Sequence, residues 1–230
     1  MPDARAGGPW ADRAKRFARS AALPFDARYF ALIARAPAAA CAALLTDEFR
    51  AAIDPGAAEA GYLRAIEPAR GADPLHRALH ADLALYLPGD LLPLADRVSM
   101  AHGLELRVPF LDHRLLEFAA RIPAAHKIRR GETKHVLRRA VRDLVPAALL
   151  RRPKQGFSAP TQVWFRGPLR EFVEDTLAPT PIRQGGVLRP GAVRALLDEH
   201  WRRRANHDDR IFALLTFVLW QRAYFGAAAA

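Results

Sequence analysis

Cysteine is nearly missing from this chain: Cys41 is the only one in 230 residues. One thiol can build neither a disulfide framework nor a cysteine-based metal cluster, which fits a reducing compartment. Long apolar runs are missing too. None approaches the roughly 18 residues of a membrane span, and Asp3, Arg5, Asp12 and Arg13 stand where a signal peptide would need an apolar core. The expectation is a cytoplasmic protein without a membrane partner. Acidic residues are also scarce, 24 against 35 Lys and Arg, for a net charge of +11. The remainder, 51% hydrophobic and 26% charged, can bury a core, so residues 1–230 read as one helical domain with loose ends at 1–9 and 226–230.

The positive charge is concentrated. Between Pro123 and Pro160, Lys127, Arg129, Arg130, Lys134, Arg138, Arg139, Arg142, Arg151, Arg152 and Lys154 face only Glu132 and Asp143, so this stretch alone carries +8. It reads either as an Arg-rich solvated surface or as a site for phosphate.

Helical periodicity dominates the pattern. Leu75, Leu79, Leu83 and Leu87 recur every fourth residue as a buried stripe that should end at a Pro88-Gly89 turn. Asp90 is expected to cap a second helix with Pro93 in its first turn, ending near Ala101 and stopped by Gly103. Leu104 to Val108 then alternates with period two, and Pro109 pushes Val108 to an extended conformation. Asp112 reads as the N-cap of a third helix with Leu115, Phe118, Ala119 and Ile122 on one face. A fourth is expected over Thr133 to Leu144, on a face of Val136, Leu137, Ala140, Val141 and Leu144. Further amphipathic stretches cover Trp164 to Leu177, Pro190 to Arg204 and Asp208 to Phe225, with Asp208 and Asp209 as helix-start charges. No βαβ alternation is present, so the fold is mainly α, without a complete parallel sheet.

Two stretches carry candidate chemistry. Lys134 in "RRGETKHVLRR" falls in the first turn of the fourth helix, where the helix dipole disfavours a cation. An anion held by the free N–H groups there would compensate, making this a phosphate site; the alternative is a solvated lysine screened by Glu132. In "SMAHGLELRVPFLDH", Glu105 and Arg107 read as a buried or half-buried ion pair bracing the wall of a site, with Asp112 as a cap.

The ordered run "YLPGDLLPLADRVSMAHGLELRVPFLDHRLLEFAARIP", then Lys127, "GETKHVLRRA", and "RPKQGFSAP" followed by Trp164, resembles the carboxy-terminal half of the synthetase domain of glutamine-hydrolysing asparagine synthetases. The resemblance implies the helical portion of an adenine-nucleotide α-hydrolase-like (PP-loop) domain. It implies ATP with Mg2+, an aspartate side chain activated as β-aspartyl-AMP, and ammonia from a glutaminase domain that consumes glutamine. It also assigns roles. Lys134 matches the lysine of G-x-x-K-x-x-L-R at the adenylation site, where it would stabilise charge on the ATP phosphates. Arg107 and Asp112 match R-V-P-F-L-D, and Lys154 and Gly156 match P-K-x-G-F; Lys154 and Arg107 become candidate nucleotide contacts, and Glu105, Asp112 and Gly156 support.

Departures from the family pattern are equally specific. Its S-G-G-x-D-S and S-G-E-G-x-D-E segments both need Ser-Gly, yet Ser20, Ser99 and Ser158 are the only serines here and none precedes glycine. The glutaminase cysteine has no counterpart: Pro2 follows Met1, and Cys41 lies in an apolar setting that suggests a buried, inert thiol. The expectation is therefore a partial synthetase, inactive alone, whose partners are the missing amino-terminal synthetase half and the glutaminase domain. The alternative is a basic module that binds nucleic acid or another polyanion without ligase chemistry. His76 and His80 lie one helical turn apart but lack a third ligand, so no metal site is expected. Trp201, Phe212, Phe217, Trp220, Tyr224 and Phe225 follow helical spacing and are expected in the core.

Overall fold

A computed structural model describes residues 21–34, 36–152 and 159–226. Lys154, Gly156 and the expected loose ends 1–9 and 226–230, apart from Gly226, lie outside the described residues. The fold is mainly α. In chain order the helices are α1 (Phe25–Ile33), α2 (Ala38–Ala42), α3 (Asp47–Ala52), α4 (Ala57–Ile66), α5 (Pro74–Ala81), α6 (Leu92–Met100), α7 (His113–Arg121) and α8 (Ala124–Lys127). They continue as α9 (His135–Ala140), α10 (Ala147–Leu150), α11 (Thr161–Arg166), α12 (Arg170–Thr176), α13 (Pro179–Gln184), α14 (Pro190–Trp201) and α15 (Asp208–Phe225). Among the described residues, the only sheet is an antiparallel pair, β1 (Ile128–Arg129) with β2 (Glu132–Thr133), in the register Ile128 to Thr133 and Arg129 to Glu132. The described residues cluster into two compact units, one of 21–30 with 58–152 and one of 31–57 with 159–226.

The second unit holds most of the buried apolar residues. On α15, Ile211, Leu214, Leu215 and Val218 repeat at the i, i+3, i+4, i+7 spacing that lines one helix face, and all are buried. Val193, Leu196 and Leu197 of α14, Phe165 of α11 and Val173 of α12 complete the same cluster. Leu45 bridges Leu188, with Thr46 N–H donating to Val187 O (2.9 Å) and Arg189 N–H to Leu44 O (2.8 Å). Gly167, at φ −127° and ψ −109°, breaks the amphipathic stretch from Trp164 to Leu177 into α11 and α12. Of the aromatic residues expected in the core, Trp201 and Phe217 pack against it, whereas Phe212, Trp220, Tyr224 and Phe225 are exposed because the aliphatic stripe already fills the inward face of α15. Cys41 is exposed as well, since α2 is a single short turn of small residues.

In the first unit only Tyr62, Ile66 and Ala81 form a fully buried cluster, flanked by Tyr29, Phe30 and Leu85. The expected leucine stripe is not buried: Leu79 and Leu83 are exposed. No turn forms at Pro88-Gly89, and Asp90 caps no helix. The chain instead continues from α5 through a π-helical segment, Asp82–Leu91, directly into α6. The wider i→i+5 winding carries the chain past Pro88 and changes which residues share a face. Beyond α6 the backbone turns at Gly103 (φ +68°), and Leu104 N–H returns to Ser99 O at 3.0 Å. Among the described residues no helix is long and apolar enough to cross a membrane.

A polar corner joins α14 to α15. Buried His200 accepts the His207 N–H at Nδ1 (3.1 Å), and Arg166 Nε donates to His200 O at 2.9 Å. His207 accepts from Arg210 at Nδ1 (2.6 Å) and so donates from Nε2 to Glu199 (2.7 Å). Burial pushes His200 down to about 4. Because the unfolded chain takes up that proton near pH 6.5, stability of the second unit should be complete above that pH and fall between 6.5 and about 4, by up to about 1.4 kcal/mol per pH unit. Urea unfolding across this range checks it, with His200→Asn expected to flatten the slope.

Candidate functional site

The basic segment is organised by a hairpin that feeds a short helix. Arg130 (φ +50°) and Gly131 (φ +81°) make the two-residue connection between β1 and β2, with φ positive at both central positions as type I′ turns require. Lys134 then takes φ +58° and ψ +30° as the residue before α9. A left-handed conformation at a residue bearing a Cβ costs about 1–2 kcal/mol, and such outliers cluster at functional sites. The expected helix from Thr133 to Leu144 is therefore shorter: Thr133 is in β2, Lys134 precedes the first turn, and Leu144 is 81% exposed beyond the helix end. Lys134 is exposed; its carbonyl accepts from Arg138 N–H at 2.9 Å, but its side chain caps no backbone group and among the described residues forms no hydrogen bond or ion pair. Glu132 forms no ion pair with it; its carboxylate lies 2.5 Å from His135 Nδ1, and that hydrogen bond holds it below the usual carboxylate range.

The stretch from Ser99 to His113 differs from its sequence reading in burial. Glu105 and Arg107 do pair, but at 67% and 83% side-chain exposure they form a surface ion pair, not a buried brace. Such a pair contributes little to stability. Leu104, Leu106 and Phe110 are all more than half exposed around it. Asp112 is the N-cap expected: its Oδ1 accepts from Arg114 N–H at 2.9 Å, and its Oδ2 pairs with the Arg114 guanidinium. The α7 face that carries Leu115 and Phe118 is nonetheless open to solvent.

A cluster not foreseen in the sequence lies at the start of α5. Asp73 caps that helix and pairs with His76 Nδ1, while Lys127 Nζ approaches His76 Nε2 to 2.6 Å and Ile122 O lies 3.1 Å from the same nitrogen. Asp73 is held below its usual range, chiefly by the His76 backbone N–H, and burial lowers the Lys127 ammonium. The imidazole thus ties three helices together. His80 instead meets Ala65 O at 3.2 Å, so the two histidines do not converge. Among the described residues no group of three or more His, Cys, Asp or Glu could hold a metal.

The Asparagine synthase family profile matches residues 4–222. The chain belongs to the asparagine synthase family. It is 43% identical over 155 residues to a Mycobacterium tuberculosis protein provisionally named asparagine synthetase [glutamine-hydrolyzing], covering 67% of this chain and 24% of that protein. It is 32% identical over 146 residues to asparagine synthetase [glutamine-hydrolyzing] 1 of Bacillus subtilis, covering 64% of this chain and 23% of the relative. An 87-residue region is 45% identical to the human asparagine synthetase [glutamine-hydrolyzing], covering 35% of this chain and 15% of that protein. The chain thus spans about a quarter or less of the curated relatives it matches. No solved structure matches it.

In this chain of the asparagine synthase family the strain at Lys134 is open to direct measurement. Lys134→Gly should stabilise the first unit by about 1 kcal/mol relative to Lys134→Ala, since glycine takes positive φ without the Cβ penalty. Urea midpoints at constant m-value give the difference.

Proposed function

We propose that the chain is the carboxy-terminal part of an ATP-dependent asparagine synthetase-type ligase. In the full reaction the side-chain carboxylate of aspartate is adenylated and then amidated by ammonia derived from glutamine. The observation that carries this reading is Lys134: the cation of the "GETKHVLR" motif stands exposed, in a strained backbone and without a protein partner among the described residues. An unpaired ammonium next to Arg129 and Arg130 fits the phosphate end of a nucleotide, where positioned positive charge matters more than a protein nucleophile. Its role is to hold negative charge that develops on the departing phosphates. Mg2+ would ride on those phosphates, because the described residues contain no carboxylate cluster for it. Lys154 and Arg107 are secondary candidates for nucleotide contact. Among the described residues Arg107 is partnered only by the exposed Glu105.

A second feature supports a partial enzyme. Leu94, Val98, Leu104, Leu106, Phe110 and Phe118 are each more than half exposed along the first unit. Exposed apolar surface of that extent marks an interaction face. The remainder of a synthetase domain, with the Ser-Gly-Gly loop that this sequence does not contain, is the partner proposed for it. Alone, the chain is then inactive.

Mixing or co-expressing the chain with the amino-terminal portion of a Bacillus subtilis-type relative tests the reading. Asparagine formation from aspartate, ATP and ammonia should appear only with both pieces, and Lys134→Ala should lower turnover at least a hundredfold while leaving association intact. Turnover by the chain alone, or equal activity of the variant, would sink it. Should the chain instead be a basic binding module, affinity for single-stranded nucleic acid would fall steeply with salt and depend about equally on many arginines.

A further inference from the structure

A cavity of about 430 Å³ opens in the first unit between the end of α8 and the far side of α9, lined by His126, His135, Val136, Arg139, Ala140, Arg142 and Asp143. Lys134 is not among its lining residues. Lys134 precedes the first turn of α9 in left-handed backbone, whereas His135, Val136, Arg139 and Ala140 belong to the helix itself. Arg138 is bound to Leu150 O, which keeps it off this wall.

The cavity concentrates unspent positive charge. Arg139 has no ion pair or hydrogen bond among the described residues, and Arg142 meets only its neighbour Asp143, at 3.4 Å with both side chains well exposed. His135 is anchored at Nδ1 by Glu132, which holds its ring in place on the cavity wall. With Asp143 as the only acid on the wall, the complementary ligand is an anion. Two guanidinium groups three residues apart match the several oxygens of a phosphate group better than a single carboxylate. The volume falls in the ordinary range for small-molecule sites, and Val136 and Ala140 supply an apolar strip for a non-phosphate portion.

We propose that this cavity binds a small, multiply charged phosphate compound through Arg139 and Arg142, at a site separate from Lys134. The inference stands on the cavity and does not rest on the ligase reading.

Titration calorimetry of the full chain with inorganic pyrophosphate, at an ionic strength of about 0.15 M, is the test. Saturable binding is expected, and the component that shifts the cavity histidines should weaken about tenfold or more in the exposed double variant Arg139→Ala with Arg142→Ala. Ring resonances of His126 and His135 should shift on binding, a readout independent of heat. Three results would overturn the proposal: no saturable binding at millimolar pyrophosphate, binding lost in Lys134→Ala but kept in the double variant, or displacement by a single-stranded oligonucleotide whose affinity falls equally when Arg129, Arg130, Arg151 or Arg152 is removed. The first would leave an empty surface depression, the second would assign the anion to Lys134, and the third would make the whole basic segment a nucleic-acid face.

Discussion

Burial of aliphatic side chains around Ile211 is the interaction on which the second unit depends. Ile211 and Val193 are fully enclosed, and the stripe that follows along α15 draws α11, α12 and α14 onto one surface. Close packing of this kind fixes where the chain turns. Once α14 and α15 share a core, the corner between them must be tight, and the backbone groups there are satisfied by His200, His207, Arg166 and Glu199. A buried neutral imidazole is the consequence, and it makes this corner the acid-sensitive part of the unit.

The first unit follows a different economy. Its enclosed cluster is only Tyr62, Ile66 and Ala81, and polar ties take a larger share of the organisation: Tyr29 to Asp82 at 2.8 Å, Asp26 to Arg77, and His76 to Asp73 and Lys127. Large apolar side chains between α6 and α7 remain in water. Hydrophobic stabilisation scales with the apolar area removed from water, so a face left this open gains its stabilisation from whatever covers it.

Local chemistry was readable wherever it depends on neighbours in sequence. Asp112 could be identified as a cap because the backbone N–H it binds is two residues away, and α15 emerged with its bounds because aliphatic residues repeat at helical spacing over many turns. Gly103 stopped α6 for a reason internal to the residue, its tolerance of positive φ. The positions that misled did so because burial is not local. The leucines at 75, 79, 83 and 87 have the right spacing for a stripe, yet Leu79 in α5 and Leu83 in the π-helical segment are exposed. Glu105 and Arg107 pair as expected, but nothing in their own sequence says that their apolar neighbours stay exposed.

The candidate site divides along the same line. By itself the sequence determined the family, through ordered motifs, and singled out Lys134 by type and spacing, since a motif is a property of order along the chain. Only the tertiary structure decided that Lys134 sits in left-handed backbone before a six-residue helix, that Glu132 serves His135 instead, and that Lys127 meets a histidine 51 positions away. Those facts depend on which segments approach in space. Approach is set by packing and hydrogen-bond geometry over the whole unit, which no short window of residues contains.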